Sequence, residues 1–332
     1  MTARSSARTR RARAPAAPAV SSSSIVLDAG RAVPAGALAA GWPPLAAAFH
    51  FGTRDVVWLR GAEEEEAEQE QERRSRAEPP PGPFKAVQGA ETALPAGPYH
   101  GEFAEVLLAR RTWRGFGRRA LRKDELGPLL DLTFGAQMVG ATRSGGDVLF
   151  KTSPSGGACH PIEGYVLVLR VRGVAPGLYH YSARTGRLHL IRKGATSRQA
   201  VAYLGGQAWY AGAGIVVFMT AVLPRVWRRY DHPRGYRAVL LEAGHVCQTF
   251  CLAATWLGLA PFCTMALEDR RIERALGIDG IREVLLYAAG AGSRPADGRW
   301  VQWPGNRPEV RRPPAISQQK SRKGRSKIPS VR

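Results

Sequence analysis

Apolar positions along the chain fall into two regimes. Between residues 25 and 83 they form no long periodic segment. Val56, Val57, Trp58 and Leu59 allow one short strand, and the Glu/Gln/Arg run after residue 61 offers almost nothing to bury before it ends in Pro79-Pro80-Pro81-Gly82-Pro83. This stretch reads as a poorly defined segment followed by an acidic, proline-rich linker. From Phe103 the pattern becomes periodic. Phe103, Val106, Leu107 and Leu108 mark a helix face that runs into Arg110-Arg111-Thr112-Trp113-Arg114, and Lys123-Asp124-Glu125-Leu126 opens a second helix that ends near Gly135. Strands follow at 165–169, at 177–181 and 188–191 around the turn Thr185-Gly186, and at 214–219. A long helix is predicted over 236–257, ended by Gly258, and a last strand over 283–288 precedes Gly290 and Gly292. The main domain is therefore placed at 84–304.

The long helix is apolar nearly all round, with Glu242, His245 and Gln248 as its main interruptions. Such a helix is expected to be buried on every side, at the centre of the fold or across a subunit interface, and we read it as the core of a homodimer; an ordinary core helix in a monomer is the other reading. Glu242 and His245 fall mid-span, and no apolar run of about 18 residues is uninterrupted, so a membrane span is not expected.

Composition narrows the class. Hydrophobic residues at 44% and charged residues at 23% are near globular averages and exclude a chain disordered throughout. The formal charge of +21 raises nucleic-acid binding until its location is considered. Residues 1–24 hold five Arg and no acid, and residues 305–332 hold nine Lys or Arg against Glu309, so the remainder carries only +8. Both ends read as disordered basic tails, and nucleic acid is not the expected partner. The N-terminal tail lacks the apolar stretch of a secretory signal, and the four Cys fit a reducing cytoplasm better than a disulfide framework. Cys247 and Cys251 share a helix face, and with Cys263 and His245 a metal site can be drawn. The apolar surroundings favour small buried hydrophobes instead, and no metal is expected.

Two segments carry candidate chemistry. Arg110, Arg111, Thr112 and Arg114 place several guanidiniums beside a hydroxyl, a set suited to bidentate recognition of phosphate; a solvated basic face is the plain alternative. The loop Lys151-Thr152-Ser153-Pro154-Ser155-Gly156-Gly157, before the strongest strand, lets backbone approach a flat ligand, although a simple turn explains the same spacing. It is not a phosphate-binding Walker loop, Gly290-Ala291-Gly292 is not a dinucleotide fingerprint, and no hydrolase motif occurs.

The order of these pieces resembles the flavin-dependent nitroreductase superfamily, and within it the SagB/ThcOx-type dehydrogenases. The resemblance covers roughly residues 100–295. It rests on Arg110 to Arg114, on Thr152 to Gly157 running through His160-Pro161-Ile162-Glu163, on Pro176 to Tyr181, on Glu242-Ala243-Gly244-His245 with Gln248, and on Leu276-Gly277-Ile278-Asp279-Gly280. It implies an α+β fold, a mainly antiparallel sheet flanked by helices, that dimerises and holds FMN at the subunit interface. By it, Arg110, Arg111, Thr112 and Arg114 look like the phosphate and ribityl pocket, joined loosely by Arg294 and Arg299. Pro154, Ser155, Gly156 and Gly157 look like the loop against the isoalloxazine ring, often contributed by the partner subunit. The implied activity is hydride transfer on a peptide-derived or small heterocyclic substrate, with NAD(P)H-dependent nitro or quinone reduction, or a non-catalytic flavin-binding subunit, as alternatives. One departure stands out. Azoline-oxidising members have a Lys-Tyr pair where this chain reads Arg229-Tyr230, and Arg cannot serve as a base near neutral pH. Either Tyr230 handles the proton alone, with Arg228 the better placed neighbour if the segment is extended, or the substrate is not an azoline.

Overall fold

The computed structural model describes residues 25–26, 33–58, 61–77, 99–141 and 146–296, with scattered positions between 85 and 94. Arg299 and both basic tails lie outside the described residues. The N-terminal part comprises β1 (Ile25–Val26), α1 (Ala35–Ala39), α2 (Pro44–Thr53), β2 (Val57–Trp58) and α3 (Ala62–Ala77), with β1 and β2 paired antiparallel. After α4 (Glu102–Ala109) and α5 (Lys123–Phe134) comes a hairpin, β3 (Met138–Ala141) and β4 (Asp147–Phe150). The remaining elements are β5 (Ile162–Val168), β6 (Gly177–Ser182), β7 (Arg187–Lys193), α6 (Ser197–Tyr203), β8 (Ile215–Val222), α7 (Pro224–Trp227), α8 (Arg234–Trp256), β9 (Leu259–Thr264), α9 (Asp269–Leu276) and β10 (Glu283–Ser293).

Six strands form one antiparallel sheet in the order β7-β6-β5-β8-β10-β9, covered by helices, so the α+β class holds. Alternation along β8 shows why both faces must be covered. Ile215, Val217 and Met219 point into a core shared with α5 and α8, while Val216 and Phe218 point into a second core shared with α6 and α9. β9 sits at the sheet edge, the position where Pro261 can be accommodated.

Two expectations change. The segment read as poorly defined contains helices that join the main core, because α1, α2 and the turn between them deliver Ala37, Trp42, Ala46, Ala47 and Phe51 into it. Trp42 Nε1 donates to the Ile281 carbonyl at 2.8 Å, and its ring meets those of Tyr236 and Trp227. Arg54 forms a buried ion pair with Glu273 of α9, and the Asp55 carboxylate accepts from the Arg270 amide at 2.8 Å. Burial, helped by the Arg54 charge, pushes the His50 imidazole down to about 3, so it stays neutral beside the Tyr236 hydroxyl. The sequence shows no long period here because α1 and α2 are short and alanine-rich, and their burial is decided by tertiary contact.

The long helix, α8, is also not buried all round. Cys247 faces the interior, whereas His245 is exposed and Leu241 (58%) and Trp256 (48%) remain open to solvent. Phe103, Leu107 and Leu108 on the adjoining α4 are exposed as well.

Phe51→Ala should lower stability by about 3–5 kcal/mol in urea unfolding, the usual cost of emptying a buried Phe site. Leu45→Ala, in the same helix but 74% exposed, should leave the midpoint nearly unchanged. Equal midpoints for the two variants would show that the N-terminal helices do not share the core.

Candidate functional site

The loop before β5 is held from beneath. The Ser153 hydroxyl is buried and hydrogen-bonded to Thr249 of α8 at 2.7 Å. The Ser155 hydroxyl accepts from the His160 amide at 2.8 Å and reaches the Glu242 carboxyl. Gly157, Ala158 and His160 all have left-handed backbone, at φ 61°, 54° and 42°, which is unfavourable for the two non-glycine residues and marks a conformation imposed by its surroundings. Gly157 is required for a second reason. A Cβ there would collide with the Arg229 side chain and lie 2.8 Å from the Tyr230 hydroxyl.

Tyr230 is thus brought against Gly156 and Gly157, a contact the sequence reading did not foresee. Its amide donates to the Val226 carbonyl at 2.8 Å, so the segment after α7 is coiled rather than extended. In consequence Arg229, not Arg228, lies over the Tyr230 ring, with its guanidinium carbon 5.9 Å from the centroid.

Below the loop lies a half-buried ionic group that sequence reasoning missed as a unit. Arg225 bridges Glu163 Oε1 at 2.6 Å and donates to the His160 carbonyl at 2.9 Å, while His180 Nε2 meets Glu163 Oε2 at 3.0 Å. Burial raises the Glu163 carboxyl, but His180 and Arg225 outweigh it and hold the group below the usual carboxylate range. Burial pushes Glu242 up, against the Ser155 hydroxyl and Lys151, and pushes Lys151 down, against Glu163 and Glu242. Glu163 and Glu242 appear in the motif strings, but nothing in the sequence singles out Arg225.

The arginine segment is positioned elsewhere. The Trp113 amide donates to the Pro261 carbonyl on β9 at 2.9 Å, and the Gly117 amide to the Ser293 carbonyl on β10 at 2.8 Å. Arg294 lies over the Trp113 ring at 5.5 Å while donating to the Leu259 and Thr255 carbonyls at the end of α8. Arg111 donates to the Leu108 and Arg110 carbonyls. Both therefore hold backbone. Arg110 and Arg114 make no ion pair among the described residues. Thr112 and Arg114 line a cleft of about 710 Å³ together with Trp58, Trp209, Tyr210, Cys263 and Thr264, none of the last five flagged by the sequence as ligand-facing.

Two half-sites result. Gly156 packs on Ala238 in the first turns of α8, and Arg294 ties the arginine segment to Thr255 in its last turn. At 1.5 Å per residue these anchors lie about 25 Å apart along the helix. Although Ser153 of the same loop reaches further along the helix to Thr249, no hydrogen bond or ion pair joins Arg110, Thr112 or Arg114 to Pro154, Ser155, Gly156, Gly157 or Tyr230 among the described residues.

Cys263, on the cleft wall, meets Cys247 and Cys251, with the three sulfurs within 4.8 Å of one another. Hydrogen bonding from Cys247 and Cys251, with Tyr287 and Arg110 nearby, holds the Cys263 thiol below its ordinary range, and the same exchange pushes Cys247 up.

Comparison with known proteins agrees with this fold. The nitroreductase family profile matches residues 107–293. The trifolitoxin-processing protein TfxB of Rhizobium leguminosarum bv. trifolii is 34% identical over 147 residues, 43% of this chain and 39% of TfxB, so the chain spans well under half of that relative. A candidate nitroreductase of Methanocaldococcus jannaschii is 36% identical over 175 residues, 52% of this chain and 83% of that protein. The fold is shared with a chain of the E. coli microcin synthetase McbBCD complex with truncated pro-MccB17 bound, at a TM-score of 0.50 and 19% identity, covering 66% of this chain and 80% of that one. With more than half its length inside the family profile, the chain belongs to the nitroreductase family.

Proposed function

We propose that the chain is an FMN-dependent oxidoreductase of the SagB/ThcOx type, working as a homodimer on a peptide-derived or small heterocyclic substrate. The observation that carries this reading is the pair of half-sites at opposite ends of α8. One has the Arg114 guanidinium, without an ion pair among the described residues, and the Thr112 hydroxyl beside an open cleft, and the other has a glycine loop facing a tyrosine hydroxyl. The apolar stripe of Leu241 and Trp256, with Phe103, Leu107 and Leu108 beside it, is a surface that a second copy would cover, bringing one chain's loop to the other's arginines.

The residues fit the cofactor. A cleft of about 710 Å³ is of ligand size, and Arg114 and the Thr112 hydroxyl on its wall would meet a phosphate dianion, on the side away from the Glu64 carboxylate that a phosphate must avoid. Arg294 would act by fixing Trp113 between Thr112 and Arg114. Gly156 and Gly157 let Tyr230 and Arg229 pack directly on the loop, so a flat ring brought to this loop would lie beside the Tyr230 hydroxyl. When bound, FMN would supply a centre that accepts or gives a hydride. Tyr230 would hold or move the accompanying proton at its hydroxyl, since the Arg229 guanidinium over its ring stays protonated and cannot accept one. A peptide-derived substrate is supported by two relatives: TfxB takes its name from trifolitoxin processing, and the McbBCD complex is bound to truncated pro-MccB17.

Complementation tests the shared site. Arg110→Ala/Arg114→Ala and Gly157→Val chains should each lose FMN when purified alone, with every charge-assisted contact removed from a buried site costing roughly 1.5–3 kcal/mol. Co-expressed and purified as a mixed dimer, they should regain one of the two sites, because one cradle and one loop are still intact. No recovered FMN in the mixed dimer would place cradle and loop in the same chain, and a colourless wild-type protein that cannot be reconstituted would end the flavin reading.

Tyr230→Phe should keep FMN bound while single-turnover flavin reduction by the substrate falls on the order of 100-fold or more, the scale of general acid-base catalysis. An unchanged rate would make Tyr230 a packing residue of the loop.

A further inference from the structure

Cys247 and Cys251 stand one turn apart on α8, and Cys263 approaches from β9, which the sheet fixes through its pairing with Ala289 of β10. The proposed flavin chemistry uses none of them. Cys247 and Cys251 are buried, whereas Cys263 is half-buried and lines the cleft. Around the trio, the Tyr287 hydroxyl hydrogen-bonds to Cys263, and the Arg110 guanidinium acts on Cys251 and Cys263.

We infer that Cys247, Cys251 and Cys263 form a binding site for a thiophilic metal ion, Zn²⁺, with a fourth coordination position open towards the cleft. Geometry is the first reason. Zinc with sulfur ligands at 2.3 Å and tetrahedral angles holds its sulfurs about 3.8 Å apart, and the three sulfurs, already within 4.8 Å, need only small rotations to reach that spacing. Donor type is the second. The group contains three sulfurs and no carboxylate or imidazole, a set that selects Zn²⁺ or Cu⁺ over Mg²⁺, Ca²⁺ or Mn²⁺. Charge separates the two soft ions. Three thiolates on a divalent ion leave one negative charge, which the nearby Arg110 guanidinium offsets, whereas a monovalent ion leaves two.

The step is balanced without a redox partner. Three S–H bonds break, three metal–sulfur bonds form, and three protons leave to solvent. Tyr287 keeps its hydrogen bond to the Cys263 sulfur and orients it, as an outer partner of a metal ligand does. The fourth position belongs to water or to an oxygen donor entering from the cleft, the open arrangement of zinc sites that bind a ligand. The sulfur geometry does not depend on FMN being bound.

The full chain, expressed with zinc, purified under reducing conditions and analysed by elemental mass spectrometry, should carry one zinc per chain. Flavin absorbance is recorded on the same sample, so a colourless but zinc-loaded protein would sink the flavin reading and leave this one standing. Co²⁺ in place of Zn²⁺ should give sulfur-to-cobalt charge-transfer bands with tetrahedral ligand-field absorption. Cys263→Ser should abolish both metal content and bands, and Tyr287→Phe should weaken Zn²⁺ binding roughly 10–100-fold while keeping its stoichiometry. If Cys263→Ser fails to fold, the wild-type cobalt spectrum decides alone. Wild-type protein that takes up neither Zn²⁺ nor Co²⁺ with its thiols reduced, that carries copper instead, or whose Cys263→Ser variant folds and keeps its zinc, would overturn the proposal.

Discussion

The packing of α8 onto β10 sets the scale of the molecule. Val239, Ala243, Val246, Phe250 and Ala254 recur at helical spacing and rest in the same core as Ala289 and Ala291 of β10. Small side chains on the strand let the helix lie close. The same helix buries the Glu242 carboxyl, and a buried carboxyl is tolerated only with partners. Its partners are the Ser155 hydroxyl and the Ile162 amide, so satisfying Glu242 also places the glycine loop. At the far end the last carbonyls of α8 are met by Arg294, which places Trp113 and with it the arginine segment. The helix therefore fixes the distance between the two half-sites as well as their existence.

Much of this frame was legible from periodicity. The strands of the central sheet and the helices α5 and α8 carry strong period-2 or helical patterns, and the sequence reading places them within a few residues. β9 escaped because Pro261 argues against a strand, an argument that holds for interior strands and lapses at an edge. α9 escaped because its apolar face is only Ile272, Ala275 and Leu276 in an otherwise charged stretch. In α8 the failure was of a different kind. An apolar residue aimed at the core and one aimed at a partner look the same in sequence, so Leu241 and Cys247 could not be sorted until the chain was folded.

The site was legible in parts and illegible as an arrangement. Motif order picked out Tyr230 and the glycine loop, and the structure does bring them together. It could not show that Arg114 sits far along α8 from Gly157, nor that Arg229 rather than Arg228 lies on the phenol, because both depend on how the chain coils after α7. The ionic group of Glu163, Arg225 and His180 is drawn from two strands and a short helix, and no local spacing announces it. The same holds for the thiols: the helix pair is visible at four-residue spacing, but the third sulfur arrives only through the return strand.

The lining of the cleft has a practical consequence. Trp58 and Trp209 both stand on its walls, one from the N-terminal segment and one from the loop before β8. Trp209 also lies near the rings of Phe116, Tyr210 and Phe262. Indole emission responds to the polarity around the ring and is quenched by a nearby chromophore that absorbs at its emission wavelength. The protein thus contains its own optical gauge of whether the cleft is filled, and the two indoles sit on opposite contributions to its wall, so their separate removal would map which side an occupant touches.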